Sequence, residues 1–585
     1  MSDQSKLYDS SLLKRVLKYV KPYKGLFIST AIITIVTAIL APIRPYLIQF
    51  TIDNYIAGFD AEMLLKMTLI MVLLLIVESV LQYFYAFSAN LLGQSVIRDL
   101  RMDLFTKIIR SKLQYFDKTP IGTLVTRVVS DLETIAEIFS QGILLIIGDL
   151  LKIIVVILVM FYVDFQLALV SLAALPLLLW STYIFKNAIK STFQEVRNEV
   201  AKLNAFVQEH VTGINIVQIF NREKVESDKF KAINQRHRDA NIRSVWHYSI
   251  FFPVVEIISA ISIGLLIWWA SKQVLKFEST PGHIIAFILY INMLYRPIRE
   301  LADRFNTLQM GMVASERVFK IMDQNEVIQD NGHLSLDYVK GNISFKNLWF
   351  AYKDEDWILK DLNLEVHEGE KIAIVGATGS GKTTIINVLG RFYEFQKGEI
   401  LIDDVNIKEY TVAAVRKNIA FVLQDVFLFS DTIANNISLF DEKISREEII
   451  EASKIVGAHD FIMKLPGDYD FNVRERGGML SVGQRQLINF IRAYVFNPKI
   501  LILDEATSSV DSESEELIKQ ATDKLTQNRT SIIIAHRLST VQKCDKIIVM
   551  EKGKILEMGN HQELLSKDGH YKKLFELQFK AEISS

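Results

Sequence analysis

Hydrophobic positions are unevenly distributed along the chain. Before about residue 300 they gather in long runs, at 26–43, 64–86, 143–163, 167–185, 250–270 and 284–301. A helix crossing the hydrocarbon core of a bilayer needs about 20 apolar residues, and the first five runs supply them. The sixth is clean only over 284–294 and then meets Arg296, Pro297 and Arg299. One such run could be a buried helix of a soluble protein; six predict a membrane domain.

Between the runs, 92–116 and 185–220 alternate apolar and polar residues with helical period and hold few Gly or Pro. Helices are therefore expected to continue well beyond the bilayer. Before the first run, Leu12, Leu13, Val16, Leu17 and Val20 form one apolar face beside Lys and Arg. That pattern suits a helix lying in the membrane interface, with an ordinary surface helix as the alternative. Beyond Met322 the pattern changes. A polar, turn-rich stretch over 323–340 reads as a linker. After it, short β-rich runs (371–376, 418–424, 499–506) alternate with helical ones, as in an α/β domain with a largely parallel sheet. The expected organisation is a membrane domain over 1–322, the linker, and an α/β domain over 341–585.

Charge orients the membrane domain. Lys14, Arg15, Lys18, Lys21 and Lys24 precede the first run, Arg98, Arg101, Lys107, Arg110 and Lys112 follow the second, and Lys186, Lys190, Arg197 and Lys202 follow the fourth. The loops after the first and third carry Asp60, Glu62 and Asp164 and no base. The positive-inside rule then puts both termini in the cytoplasm, with Lys272 and Lys276 a mild exception. Net charge over the 585 residues is −1, so no global field favours nucleic acid. The single cysteine, Cys544, excludes an intrachain disulfide and a Cys-rich metal site. No removable signal peptide is expected, because no small-residue cleavage site follows the first run.

The chemistry lies in the second half. Gly376-Ala377-Thr378-Gly379-Ser380-Gly381-Lys382-Thr383 fits the phosphate-binding pattern G-x4-G-K-[ST], after a strand-like run and before a helical one. Its glycines let backbone N–H groups approach phosphates, Lys382 can reach the β- and γ-phosphates, and the Thr383 hydroxyl can ligate Mg²⁺. About 120 residues on, 500–503 form a buried strand ending in Asp504 and Glu505. Asp504 can hold the Mg²⁺ shell and Glu505 can polarise the attacking water.

Leu480-Ser481-Val482-Gly483-Gln484 resembles the LSGGQ signature of ABC ATPases, with Val482 replacing a glycine. This resemblance implies that Ser481, Gly483 and Gln484 meet the γ-phosphate of ATP held by an opposite subunit. By the same resemblance Tyr352 stacks on adenine, Thr384 lies in the nucleotide-binding segment, Gln424 touches Mg²⁺, 508–511 form the D-loop, and His536 contacts the γ-phosphate. Arg474-Glu475-Arg476-Gly477 resembles the exporter coupling loop, where the family often has glycine at the position of Arg474. In the membrane half, Phe116-Asp117 with Gly122, Arg127 and Asp131 resembles the first intracellular loop of ABC exporters. Glu209, Gly213, Val217, Phe220 and Glu223 resemble the second, and 314–317 the segment leaving the sixth helix.

The resemblance covers nearly the whole chain and fits the MsbA-like lipid-flippase and multidrug half-transporters. It implies six transmembrane helices with long cytoplasmic extensions plus an α/β P-loop ABC ATPase domain. It further implies ATP and Mg²⁺ as cofactors, and a homodimer or heterodimer with a second half-transporter in a bacterial inner membrane. The partners are membrane lipids and a small amphipathic or lipid substrate, not nucleic acid. An ABC-type channel or regulatory subunit is the alternative; Glu505 and His536 favour active transport. A soluble ABC factor is excluded by the spans. Arg44, Glu78, Asp149, Lys152 and Glu256 are ionisable groups within the runs and candidate substrate contacts. Asp149 and Lys152 stand three apart on a helix, a spacing that suits a pair.

Overall fold

The computed structural model describes residues 10–276, 279–324, 328, 330–335, 339–504, 512–535 and 538–576. Its contacts divide the chain into two compact units: Met1–Ile109 with Pro120–Asn325, and Arg110–Thr119 with Glu326–Ser585.

The first unit is helical. Its helices are α1 (Ser10–Lys18), α2 (Lys24–Leu40), α3 (Ile43–Thr51) and α4 (Ala61–Ile109). Next in the chain come α5 (Leu113–Lys118), which belongs to the second unit, then α6 (Ile121–Thr126), α7 (Leu132–Glu137), α8 (Ile143–Val163) and α9 (Phe165–Leu172). Further on are α10 (Leu175–Thr212), α11 (Ile214–Ile219), α12 (Glu223–Val274) and α13 (Pro281–Asp323). Among the described residues, five continuous helical stretches are long and apolar enough to cross a membrane: Lys21–Ile56, Ala61–Ile109, Ile121–Val163, Phe165–Thr212 and Glu223–Val274. The sixth predicted run falls inside α13, which does not meet that measure among the described residues. Charge is the reason: Arg296, Glu300 and Arg304 sit on this helix, where Arg296 and Arg304 both pair with Glu300.

The helices run on past the apolar runs, as expected. α4 runs 49 residues with no proline. The amphipathic stretch 92–116 is nonetheless two helices, because Lys112 is extended at ψ 149° between α4 and α5. The stretch 185–220 also breaks, at Gly213, where α10 ends and the glycine N–H caps Glu209 O. Helical period is indifferent to such local stops.

Polarity in this unit is inverted. Leu65, Leu73, Leu158, Trp180 and Trp268 are each more than 60% exposed. Thr30, Thr34, Ser171 and Ser262 are buried. Thr30 and Thr34 return their hydroxyls to carbonyls four residues back (2.7 and 2.8 Å), and Ser262 donates across helices to Ser171 O at 2.7 Å. Such a surface fits lipid, and the hydroxyls of Thr30, Thr34 and Ser262 satisfy themselves or tie helices together.

The described residues of the second unit form two sheets. Strands β1 (Ile343–Ala351), β2 (Trp357–Val366), β4 (Lys397–Ile402) and β5 (Val405–Asn406) form an antiparallel sheet ordered β2-β1-β4-β5. The other contains β3 (Lys371–Val375), β6 (Ile419–Val422), β7 (Ile500–Asp504), β8 (Thr530–Ile534), β9 (Lys546–Glu551) and β10 (Lys554–Gly559), ordered β10-β9-β3-β8-β7-β6. All of its pairings are parallel except β10 with β9. Successive residues of its inner strands feed different cores. Ile372, Ile374, Ile500, Ile502, Ile532 and Ile534 pack in one cluster, and Ala373, Val375, Leu501, Leu503 and Ile533 in the other. A sheet buried on both faces explains why these strands read as unbroken apolar runs. The unit's helices are α5, α14 (Lys382–Leu389), α15 (Val412–Asn418), α16 (Ile433–Ser438), α17 (Arg446–Val456), α18 (His459–Met463), α19 (Val482–Val495), α20 (Ser512–Leu525), α21 (Leu538–Val541), α22 (His561–Ser566) and α23 (His570–Leu574).

Candidate nucleotide site

Parallel pairing brings three strand ends to one edge. Ile374 pairs with Ile534, which in turn pairs with Asp504, so the phosphate loop after β3 and the carboxylate ending β7 emerge at the same level. The carboxyl edge of such a sheet is where α/β folds bind ligands.

The loop leaves β3 through three glycines with positive φ: Gly376 (153°), Gly379 (80°) and Gly381 (103°). A Cβ at Gly376 would collide with Met550 O, so that position requires glycine on steric grounds as well. Residues 377–379 are exposed, and Lys382 begins α14 buried, its Nζ donating to Gly376 O at 2.7 Å and Ala377 O at 3.1 Å. Lys382 is thus folded back across the loop it closes. Burial lowers its pKa, while the Asp504 carboxylate opposes the shift. Ser380 Oγ is buried in the same loop with no hydrogen-bond partner. A buried hydroxyl left unsatisfied costs free energy, and a phosphate oxygen is the acceptor this loop is built to receive. Thr383 is exposed and Thr384 buried.

Tyr352 joins the loop from β1. Its hydroxyl donates to Thr384 Oγ1 at 3.3 Å and accepts from Asn387 Nδ2 at 3.4 Å. Its ring stands edge-on to Phe350 and Tyr393, with centroids 4.8 and 5.0 Å away. Residues 110–119 lie against this aromatic group within the same unit. Gln114 Nε2 donates to Tyr352 O at 3.1 Å, and the Tyr393 hydroxyl donates to Asp117. Burial, and then the Asp117 carboxylate, raises the Tyr393 pKa.

Gln424 follows β6 at the same sheet edge and is exposed. Ser481 caps α19 by accepting from Gln484 N (3.2 Å), and Gln484 Oε1 accepts from Ser481 N (3.0 Å). Gly483 is buried, whereas Val482 is 47% exposed. Glu505, His536 and the D-loop at 508–511 lie outside the described residues. The structure thus brings Tyr352, 376–384 and Asp504 together and puts Gln424 on their edge. Among the described residues, no hydrogen bond or ion pair joins 481–484 to that loop.

The profile of the ABC transporter transmembrane region matches residues 26–298, and the ABC transporter profile matches 359–508. The chain is 38% identical to a Streptococcus pneumoniae protein, exp8, named as an ABC transporter ATP-binding protein, over 98% of each chain. It is 35% identical to the ATP-dependent lipid A-core flippase of Syntrophus aciditrophicus, over 97% of this chain and 95% of that one. It is also 35% identical to YgaD of Bacillus subtilis, named as a multidrug export ATP-binding/permease protein, over 97% and 99%.

The chain belongs to the ABC transporter family. It is an integral membrane protein of the exporter type that binds ATP and couples its hydrolysis to transport.

Several contributors in this ABC transporter are invisible to motif reading. Asn387 and Tyr393 hold Tyr352 in place, and Gln114 and Asp117 back it from a segment more than 200 residues away. Gln486, one turn into α19, is buried and lines a small cavity with Asp504, Leu503 and Phe490. The expected pairing of Asp149 with Lys152 is corrected: Asp149 bonds Arg304 of α13 instead. A partner on another helix won over the intrahelical neighbour. Arg474 adopts φ 61° and ψ −172°, a region that glycine occupies without strain.

Proposed function

We propose that this chain is one half of a dimeric exporter that moves a lipid or other amphipathic substrate across a bacterial inner membrane by alternating access. The observation that carries the reading is the division of the nucleotide site. One chain has one phosphate loop and one signature, and the signature's capping groups bond each other rather than that loop. A second half-transporter would bring its signature to this loop and receive this one in return. The exposed side chains of α11 and its flank, Ile216, Ile219 and Phe220, between the long helices α10 and α12, offer apolar surface for the same partner. An intact catalytic set permits a homodimer, and a heterodimer with a second half-transporter fits the same set.

In this reading Thr383, Asp504 and Gln424 hold Mg²⁺; hydroxyl, carboxylate and amide oxygens are the hard donors that ion prefers. Bound Mg²⁺ neutralises developing charge on the phosphates. Lys382 and the loop N–H groups orient the phosphates, Ser380 Oγ donates to them, and Tyr352 stacks on the adenine. Glu505 accepts the proton of the attacking water, and His536 steadies the γ-phosphate. ATP works only through its different affinity for the closed and open states. The ATPase unit and both termini are cytoplasmic.

The polar substrate contacts come from a charged group shared by four helices: Arg44, Glu78, Asp149, Lys152 and α13's Arg296, Glu300 and Arg304. Arg44 lies 3.8 Å from Glu78. Lys152 has no ion pair or hydrogen bond among the described residues. ATP-dependent accumulation of a fluorescent phospholipid or cationic dye in inverted vesicles tests the proposal. ATP turnover with no accumulation of any amphiphile would favour a channel or regulator.

A further inference from the structure

The N-terminal helix packs with an unusual division of its faces. Val16 and Val20 are buried. Beside them, three side chains each bind an aspartate of the bundle. Arg15 makes a two-pronged ion pair with Asp323, the last residue of α13, at 2.7 Å for both contacts. Its guanidinium also lies 4.1 Å from the centre of the Phe319 ring. Tyr19 and Tyr23 donate to Asp103 and Asp99 of α4 at 2.9 and 2.7 Å. Asp99, Asp103 and Asp323 are therefore already engaged. Lys14, Lys18, Lys21 and Lys24 are all exposed, with no ion pair among the described residues. Lys14 and Lys18 share one face of α1, and Leu13 and Leu17 beside them are only partly covered. α2 starts at Lys24 and exposes Ile28, Ile32, Ile35 and Ile39, each 46–55%, as a lipid-facing span does. The lysines thus precede the apolar span, where a chain entering a bilayer meets the headgroups.

We propose that α1 is a latch that reads membrane charge: its four lysines bind the phosphates of anionic lipids, and the Arg15–Asp323 pair ties that contact to the end of α13. A polybasic juxtamembrane segment is attracted to an anionic leaflet and released by salt. The half-covered leucines enter the acyl boundary as the lysines meet phosphate. Docked, α1 holds the exit of α13 to the bilayer, so that α13 moves with the bundle. Undocked, that end is restrained by α1 alone.

The test compares ATP turnover of the full-length protein in phosphatidylcholine vesicles with turnover in vesicles holding about 30% phosphatidylglycerol. The expected result is roughly threefold higher turnover on the anionic vesicles, diminishing with added salt. Replacing Lys14, Lys18, Lys21 and Lys24 together by Gln brings the ratio near one and leaves turnover in detergent unchanged. Arg15→Gln also removes the stimulation, although the lysines remain, and the double exchange Arg15→Asp with Asp323→Arg restores it. Should the quadruple variant misfold, Lys14→Gln with Lys18→Gln halves the stimulation. Equal turnover of the native protein on both vesicles, or full stimulation in the lysine variant, overturns the lipid contact. Full stimulation in Arg15→Gln overturns the latch. Turnover in detergent separates any of these failures from failure of the nucleotide-site assignments.

Discussion

The two units solve opposite solvent problems with the same kinds of side chain. In the ATPase unit the branched aliphatics of β3, β7 and β8 are sealed between two cores, and the loops carry the charge. In the membrane unit comparable residues such as Leu73 and Leu158 stand more than 60% exposed, while Thr30, Thr34 and Ser262 are buried. The lesson is that burial in protein is not what makes an apolar residue structural. In water Leu501 must be covered, whereas in lipid Leu73 is already in its preferred solvent. Chemistry divides similarly. The ATPase unit concentrates it in a loop and a few strand ends, whereas the substrate contacts proposed for the membrane unit are spread over four helices.

The sharpest contrast is at the nucleotide. Glu505→Gln keeps shape but removes the carboxylate base, so hydrolysis should fall by about 10²–10⁴-fold. ATP binding should persist, because Lys382, Thr383 and Asp504 are untouched. Steady-state turnover measured beside retained ATP decides it; near-normal turnover would reduce Glu505 to a strand end.

Next comes the solvent comparison itself. Leu501→Ala leaves a cavity in a closed core and should cost about 2–5 kcal/mol. Leu73→Ala, with little protein around it, should cost less than about 1 kcal/mol in a bilayer. Thermal unfolding of both variants in nanodiscs measures the difference, and equal losses would break the inside-out description.

Lys382→Ala removes a charged donor from the phosphates and should weaken ATP binding by roughly 10- to 100-fold. The wild-type affinity should also fall with alkaline pH. Only the ammonium form attracts phosphate, and burial puts the Lys382 pKa below the usual lysine value, so affinity declines as pH rises through that lowered pKa. Titration of nucleotide affinity against pH reads this sign directly; affinity rising with pH would contradict it.

The smallest effect is at Arg474, in the segment that resembles the exporter coupling loop. Arg474→Gly relieves a conformation that costs a non-glycine residue about 1–3 kcal/mol, offset in part by the greater freedom of glycine in the unfolded chain. A net gain near 1 kcal/mol, seen as a higher Tm, is expected. A loss would mean that the Arg474 side chain contributes more than the strain costs.

Much of this was legible beforehand. The phosphate loop and the β7 carboxylate are each contiguous in sequence and were expected from a motif and its spacing, and the signature helix was expected from its resemblance to that of ABC ATPases. The first five spans were equally plain, since bilayer thickness imposes their length. The sixth was equivocal in sequence and stays so in the structure, because α13 mixes an apolar start with paired charges. The stops at Lys112 and Gly213 were missed, because a periodic pattern carries no record of where the backbone turns.

The sequence by itself determined the kinds of element, the inward or outward preference of each half, and which residues form the candidate phosphate loop, because these follow from local composition and from motifs within a single loop. Only the tertiary structure decided that Asp149 pairs with Arg304, that Arg15 clamps Asp323, and that Gln114 and Asp117 support the ring beside the phosphate loop. Each joins residues between 155 and 308 positions apart or on different helices. Ion pairs and hydrogen bonds act over a few ångströms in space and leave no periodicity along the chain.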